Sequence, residues 1–158
     1  MKIRAILFGL CAAALLSIGV ISGSLAQTAA LLDLATFAQS SVDIGIGAHR
    51  QHFDVWIADT PARQTQGLMF VRDLPSSRGM LFPEPEPRPT AFWMKNTYIE
   101  LDMLFIGADH RVAKIAARTP PLSLDTINSD GPVIAVLEIK GGEAQRRGIH
   151  VGDPVSWP

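Results

Sequence analysis

The sequence predicts one mainly β domain, a small sandwich or barrel carrying one or two short helices. Two observations carry that expectation. Apolar residues recur with a period of two in several short runs, the pattern of strands with one buried face. Turn-forming residues separate those runs at intervals of roughly eight to twelve residues, as in all-β domains. A third observation sets the domain's limits. Lys2 and Arg4 precede an apolar run from Ala5 to Ile21, and small residues follow at Ser24 and Ala26. This is the order of a cleavable secretory signal, so cleavage is expected after Ala26, with a periplasmic or secreted product. Residues 27–41 are then expected to be a flexible linker and 42–158 the domain.

Removing residues 1–26 takes away Cys11, the only cysteine, and two of the chain's 14 cations. The remaining 132 residues contain no thiol, which excludes disulfides, thiolate catalysis and cysteine metal sites. Twelve cations then face 15 carboxylates, a balance that gives no electrostatic basis for nucleic-acid binding. No membrane span is expected after signal cleavage. A chain of this size can bury a core without covalent staples.

Val42, Ile44 and Ile46 alternate with Asp43 and Gly45, and Phe53, Val55 and Ile57 alternate with Asp54 and Trp56. With Gly47 to Gln51 as a turn, these two runs predict a hairpin. Thr60-Pro61 opens a short helix, because threonine caps free amides and proline loses no bond at the first helical position. Gly67 ends it. Gly79 to Phe82 reads as a short strand. Pro83, Pro85, Pro87 and Pro89 alternate with polar residues, which predicts a stiff extended surface loop. Ala91 to Ile106 reads as strand, polar corner at Lys95-Asn96-Thr97, and returning strand. Val112 to Ala117 pairs back, Thr119 to Gly131 is loop, and Val133 to Ile139 is a buried strand. Gly141-Gly142 ends that strand, Glu143 to Arg147 makes at most two helical turns, and Val151 to Trp157 is a last strand.

Five phrases stand together in this order: Gly67-Leu68-Met69-Phe70, Gly79-Met80-Leu81-Phe82, Phe92-Trp93-Met94-Lys95-Asn96-Thr97, Leu101-Asp102-Met103-Leu104-Phe105, and Val136-Leu137-Glu138 with a later Gly148-Ile149 and Gly152-Asp153. Over about Val42 to Val155 the chain resembles the domain of unknown function 192 family. The resemblance implies a jelly-roll-like β-sandwich with short helices and implies no established biochemical role. Arg63-Gln64 and Glu100 depart from the family's usual pattern, which favours an acidic residue then arginine at the first place and proline at the second.

Four residue groups are candidates for chemistry. Met69, Met80, Met94 and Met103 could present thioethers to Cu(I), but each is flanked by Leu, Phe or Trp and reads as core. Asp102 and Glu138 are carboxylates inside apolar strands, where burial costs several kcal/mol unless each is bonded or faces a wet cleft. Together they could serve a hydrolase or lyase as an acid/base pair. Alternatively each clamps a corner by accepting from loop amides, and for Asp102 the expected donors are Asn96, Thr97 and Tyr98. Trp93, Lys95, Asn96 and Thr97, with Asp102 behind them, could bind a sugar- or carboxylate-bearing ligand through an aromatic face and polar donors, or could be a hairpin corner in which Asn96 takes a turn conformation and Lys95 is solvated. His49, His52, His110 and His150 share no face, so no zinc site is expected, nor any other cofactor. The resulting expectation is a binding module for a small or extended ligand. Its alternatives are the Asp102/Glu138 enzyme and a structural accessory to an envelope protein complex, with Pro83–Pro89 as its contact.

Overall fold

A computed structural model describes residues 31–158. The expected signal peptide and residues 27–30 of the expected linker lie outside the described residues. The hairpin forms as patterned. Strand β1 (Ala38–Ile44) pairs antiparallel with β2 (Gln51–Ile57), Val42 opposite Phe53. The strand begins at Ala38 rather than Val42, because Phe37 is buried and anchors the chain four residues earlier than the apolar alternation suggests.

Helix α1 (Pro61–Gln66) follows, with the Thr60 hydroxyl accepting from the Arg63 amide and Gly67 ending the helix at φ +49°. It carries the chain across to β3 (Arg78–Arg88), which runs parallel to β2. Strands β4 (Ala91–Phe92), β5 (Leu101–Ile106), β6 (Val112–Thr119), β7 (Ile127–Asn128) and β8 (Val133–Lys140) come next, then helix α2 (Glu143–Arg146) and β9 (Val155–Ser156). Among the described residues, seven strands form one sheet in the order β6-β5-β8-β3-β2-β1-β9, and β4 pairs only with β7. The sheet curls into a half-barrel, the mainly β class that the sequence predicts.

Ile127–Asn128 is a strand within the expected Thr119–Gly131 loop, the last strand is shorter than expected, and two larger segments also differ from expectation. Pro83 to Arg88 is not a loop but the second half of β3. The sheet tolerates its prolines for a local reason. The Pro83 carbonyl points away from β8 and accepts from the Gln64 side chain, so the amide that proline lacks would have faced the same open side. Pro85 and Pro87 fall in the irregular stretch between Pro83 and Arg88, where pairing to β8 is interrupted. The second difference is that β4 and β5 form no hairpin. Strand β4 turns aside to β7, while β5 lies between β6 and β8.

The two faces of the sheet carry separate apolar clusters. Leu81, Leu104 and Leu137 lie on one face with Val42, Phe53 and Val55. Met80, Met103 and Val136 lie on the other with Phe82, Met94 and Phe105. Adjacent positions on β8 therefore serve different cores, as the period of two requires. Gly79 lets β3 and β8 approach closely, since a Cβ there would stand 2.5 Å from the Glu138 carbonyl oxygen.

Candidate functional site

Asp102 is opposite Ile139 on β8, and Met103 is opposite Glu138. With side chains alternating along each strand, the two carboxylates leave the sheet on opposite faces. The structure thus does not bring Asp102 and Glu138 together, and an acid/base pair across one cleft is not available to them.

Asp102 is a clamp, though not with the expected donors. Its side chain is fully buried. Oδ1 accepts from the amides of Arg118 at 2.8 Å and Gly142 at 2.9 Å, and Oδ2 accepts from the amide of Ala144 at 2.8 Å. The amides of Asn96, Thr97 and Tyr98 are out of the question because β4 and β5 do not fold back on one another. Asp102 instead fixes the start of α2 and the end of β6, where Arg118 has φ +48° and Gly142 φ +84°. It does not line the cleft on which Glu138 opens.

Glu138 has the opposite character. It is 4% exposed, set between the fully buried Met80 and Met103, and its carboxyl lines a cleft of about 410 Å³. Burial, with no offsetting hydrogen bond or neighbouring charge, pushes its pKa from the ordinary 4.5 up to about 8. It is therefore a neutral carboxylic acid at pH 7.

The cleft is walled by α1 and the segment after it (Gln64, Leu68, Met69), by β3 (Phe82, Glu84, Arg88) and by the chain through β4 to the polar corner. Of the residues the sequence singled out, Trp93, Lys95 and Thr97 line it. Asn96 does not; its amide reaches the Met69 sulfur at 3.8 Å and its φ is +57°. Trp93 is 48% exposed, and the Lys95 ammonium lies 5.0 Å from its ring centre. Among the described residues Lys95 has no carboxylate within ion-pair distance, whereas Arg88 is held by Glu84. Thr90 approaches the other oxygen of Glu84 at 3.5 Å. Gln64, Glu84, Arg88 and Thr90 were not foreseen as site residues. No local signal marks them, because they reach the cleft through the α1 crossover and the proline-rich half of β3.

Beside the cleft, Phe70, Asn96 and Leu122 have φ of 66°, 57° and 63°; none of the three lines it, and the conformation is costly for Phe70 and Leu122 but commonplace for asparagine. They are tied together: the Phe70 amide donates to the Asn96 carbonyl at 2.8 Å, and the Leu122 amide to the Thr97 carbonyl at 3.0 Å. Phe70 and Tyr98 meet edge to face with ring centres 6.0 Å apart. Beneath them Met94 is fully buried and its sulfur accepts from the Thr119 hydroxyl at 3.1 Å. Met80 and Met103 are core as expected, while Met69 is half-buried and faces the cleft.

Comparisons with known proteins agree with this architecture. The model of the family DUF192, described as uncharacterized ACR, matches residues 43–157. A crystal structure from Sinorhizobium meliloti 1021, provisionally described as a transcription regulator, is 37% identical with a TM-score of 0.73, covering 77% of this chain and 95% of that one. A protein of unknown function from Novosphingobium aromaticivorans DSM 12444 is 43% identical with a TM-score of 0.71, covering 74% of this chain and 84% of that one. No protein of curated function matches.

Proposed function

The chain belongs to the domain of unknown function 192 family, and we propose that it is a binding module whose cleft takes a small or extended sugar- or carboxylate-bearing ligand. The observation that carries this reading is the convergence, in one cleft, of an exposed tryptophan face, an unpaired ammonium and a buried, unpartnered carboxyl: Trp93, Lys95 and Glu138. The lining mixes apolar side chains such as Leu68, Phe82 and Phe92 with polar ones such as Gln64, Thr90 and Lys95, a combination that can hold and orient a small molecule. Two further features support it. Strained backbone at Phe70 directly follows the cleft residue Met69, as it does where a loop is held for a purpose. The cleft also shares Pro61, Gln64, Glu84 and Arg88 with a second groove of about 550 Å³ that continues past Pro85 and Glu86, giving room for an extended ligand.

The alternative of a hydrolase or lyase using Asp102 and Glu138 together is disfavoured, because three amides occupy Asp102 on the far face of the sheet. A DNA-reading role is not carried over from the Sinorhizobium protein. Helices of six and four residues are too short to lie in a major groove as recognition helices do. We place the binding activity in the periplasm or outside the cell, on the signal-like order of residues 1–26.

The test is thermal melting of the purified protein against a panel of monosaccharides, disaccharides and small carboxylates. A ligand of the cleft raises the melting temperature of the native protein and not of Trp93→Ala. A panel in which every hit stabilises Trp93→Ala equally would refute the reading.

A further inference from the structure

We infer that the ligand of this cleft carries a carboxylate, bound between the Glu138 carboxyl, which donates its O–H, and the Lys95 ammonium. This deepens the binding reading and rests on it. The desolvation of Glu138 is uncompensated within the protein. Glu138 is 4% exposed and forms no hydrogen bond among the described residues, yet its carboxyl opens on the cleft. Buried polar groups are partnered as a rule, and this one opens on a cavity where water or a ligand atom can reach it.

The charged and titratable groups facing Glu138 can be named wall by wall. Strand β3 contributes Glu84 and Arg88, which pair with each other. The polar corner contributes Lys95, without a carboxylate partner. Helix α1 contributes no charge: Pro61, Thr65, Gln66 and Gln64, the last with its amide committed to the Pro83 carbonyl. The cleft therefore holds one uncompensated positive charge. Glu138 adds a hydrogen-bond donor rather than a second charge, since burial keeps it protonated to about pH 8.

One cation and one O–H donor complement a group with a single negative charge and two acceptor oxygens, which is a carboxylate. A neutral hydroxyl would satisfy Glu138 but leave Lys95 without a partner. A phosphate would bring a second charge for which no free cation remains, because Arg88 belongs to Glu84. When the ammonium turns from the Trp93 ring to the ligand, the ring face becomes free for the ligand's apolar side. No proton is transferred in this arrangement; the hydrogen stays on Glu138 and is shared.

Matched pairs test it by isothermal titration calorimetry: glucuronate against glucose, galacturonate against galactose, and benzoate against benzamide, each at pH 6.5 and pH 9.5. The acid of at least one pair should bind at pH 6.5 at least tenfold more tightly than its neutral partner. Its affinity should fall roughly thirtyfold at pH 9.5, as Glu138 loses its hydrogen. Glu138→Gln, which keeps an N–H donor, should bind at both pH values with that fall abolished. Lys95→Ala should lose the preference for the acid. Equal binding of acid and neutral members, lost in Trp93→Ala, overturns this inference and leaves the binding reading standing. A pH dependence that persists in Glu138→Gln overturns it as well. If neither member of any pair binds and the protein's tryptophan fluorescence is unmoved, both readings fall.

Discussion

Replacing Glu138 by glutamine should stabilise the protein, and only above acid pH. The folded-state pKa of Glu138 lies at about 8 against an ordinary 4.5, so the folded protein holds a proton that the unfolded chain has released. A group raised in this way contributes fully below the unfolded value. Between about 4.5 and about 8 it costs stability at about 1.4 kcal/mol per pH unit, and above that the cost is constant. The accumulated loss is about 3 kcal/mol at pH 7 and about 5 kcal/mol at pH 9. Glutamine has nearly the same shape and no charge at any pH, so the difference between variant and parent isolates this one group. Urea unfolding of both proteins at pH 4.5, 7 and 9 reads it directly, provided the transitions are two-state. The variant should match the parent at pH 4.5 and gain with each step upward. A difference that stays flat across the three pH values would refute the reasoning, and would mean that Glu138 is ionised and solvated in the folded state.

Other outcomes follow from the same geometry. Asp102→Asn turns one acceptor into a donor facing backbone amides, and should cost about 2–4 kcal/mol in urea unfolding; a variant as stable as the parent would dismiss the clamp. Met94→Leu should cost under about 1.5 kcal/mol, and titration with Cu(I) should show no stoichiometric tight site that Met69 and Met94 variants abolish. Trp93→Ala and Lys95→Ala, at exposed positions, should change the unfolding free energy by less than about 0.5 kcal/mol while weakening any cleft ligand. The exported protein should begin at Gln27 by intact-mass spectrometry, against an intact Met1 or a lipid on Cys11.

Much of the fold was legible because the β pattern is local. The alternation of Val42, Ile44, Phe53 and Val55 marks a hairpin with one buried face, and the Thr60-Pro61 start of α1 is written in adjacent residues. The partners of β4 were not legible, since Ala91 and Phe92 carry no mark that sends them to Asn128 and Ile127 rather than to β5. The site followed the same division. A carboxylate within an apolar strand announces that something must satisfy it, which picked out Asp102 and Glu138. It does not say on which face. That depends on the register of β5 against β8, where a shift of one residue would exchange the two faces. Trp93 and Lys95 were recognisable by residue type alone. Arg88 and Thr90 were not, being brought in by a strand that its prolines disguised as a loop.

Those prolines bear on how copies of this protein behave at high concentration. The outer half of β3 extends past the end of β2 and leaves backbone uncovered there. An uncovered strand edge ordinarily recruits another strand, in a neighbouring molecule or in a passing peptide. A strand laid along this one would find no amide hydrogen at residues 83, 85 or 87, so its own carbonyls would go unanswered at every second position. The segment thus rejects fibrillar stacking and edge exchange while keeping the rigidity of a strand, and it can form one wall of an open groove without that groove seeding aggregation.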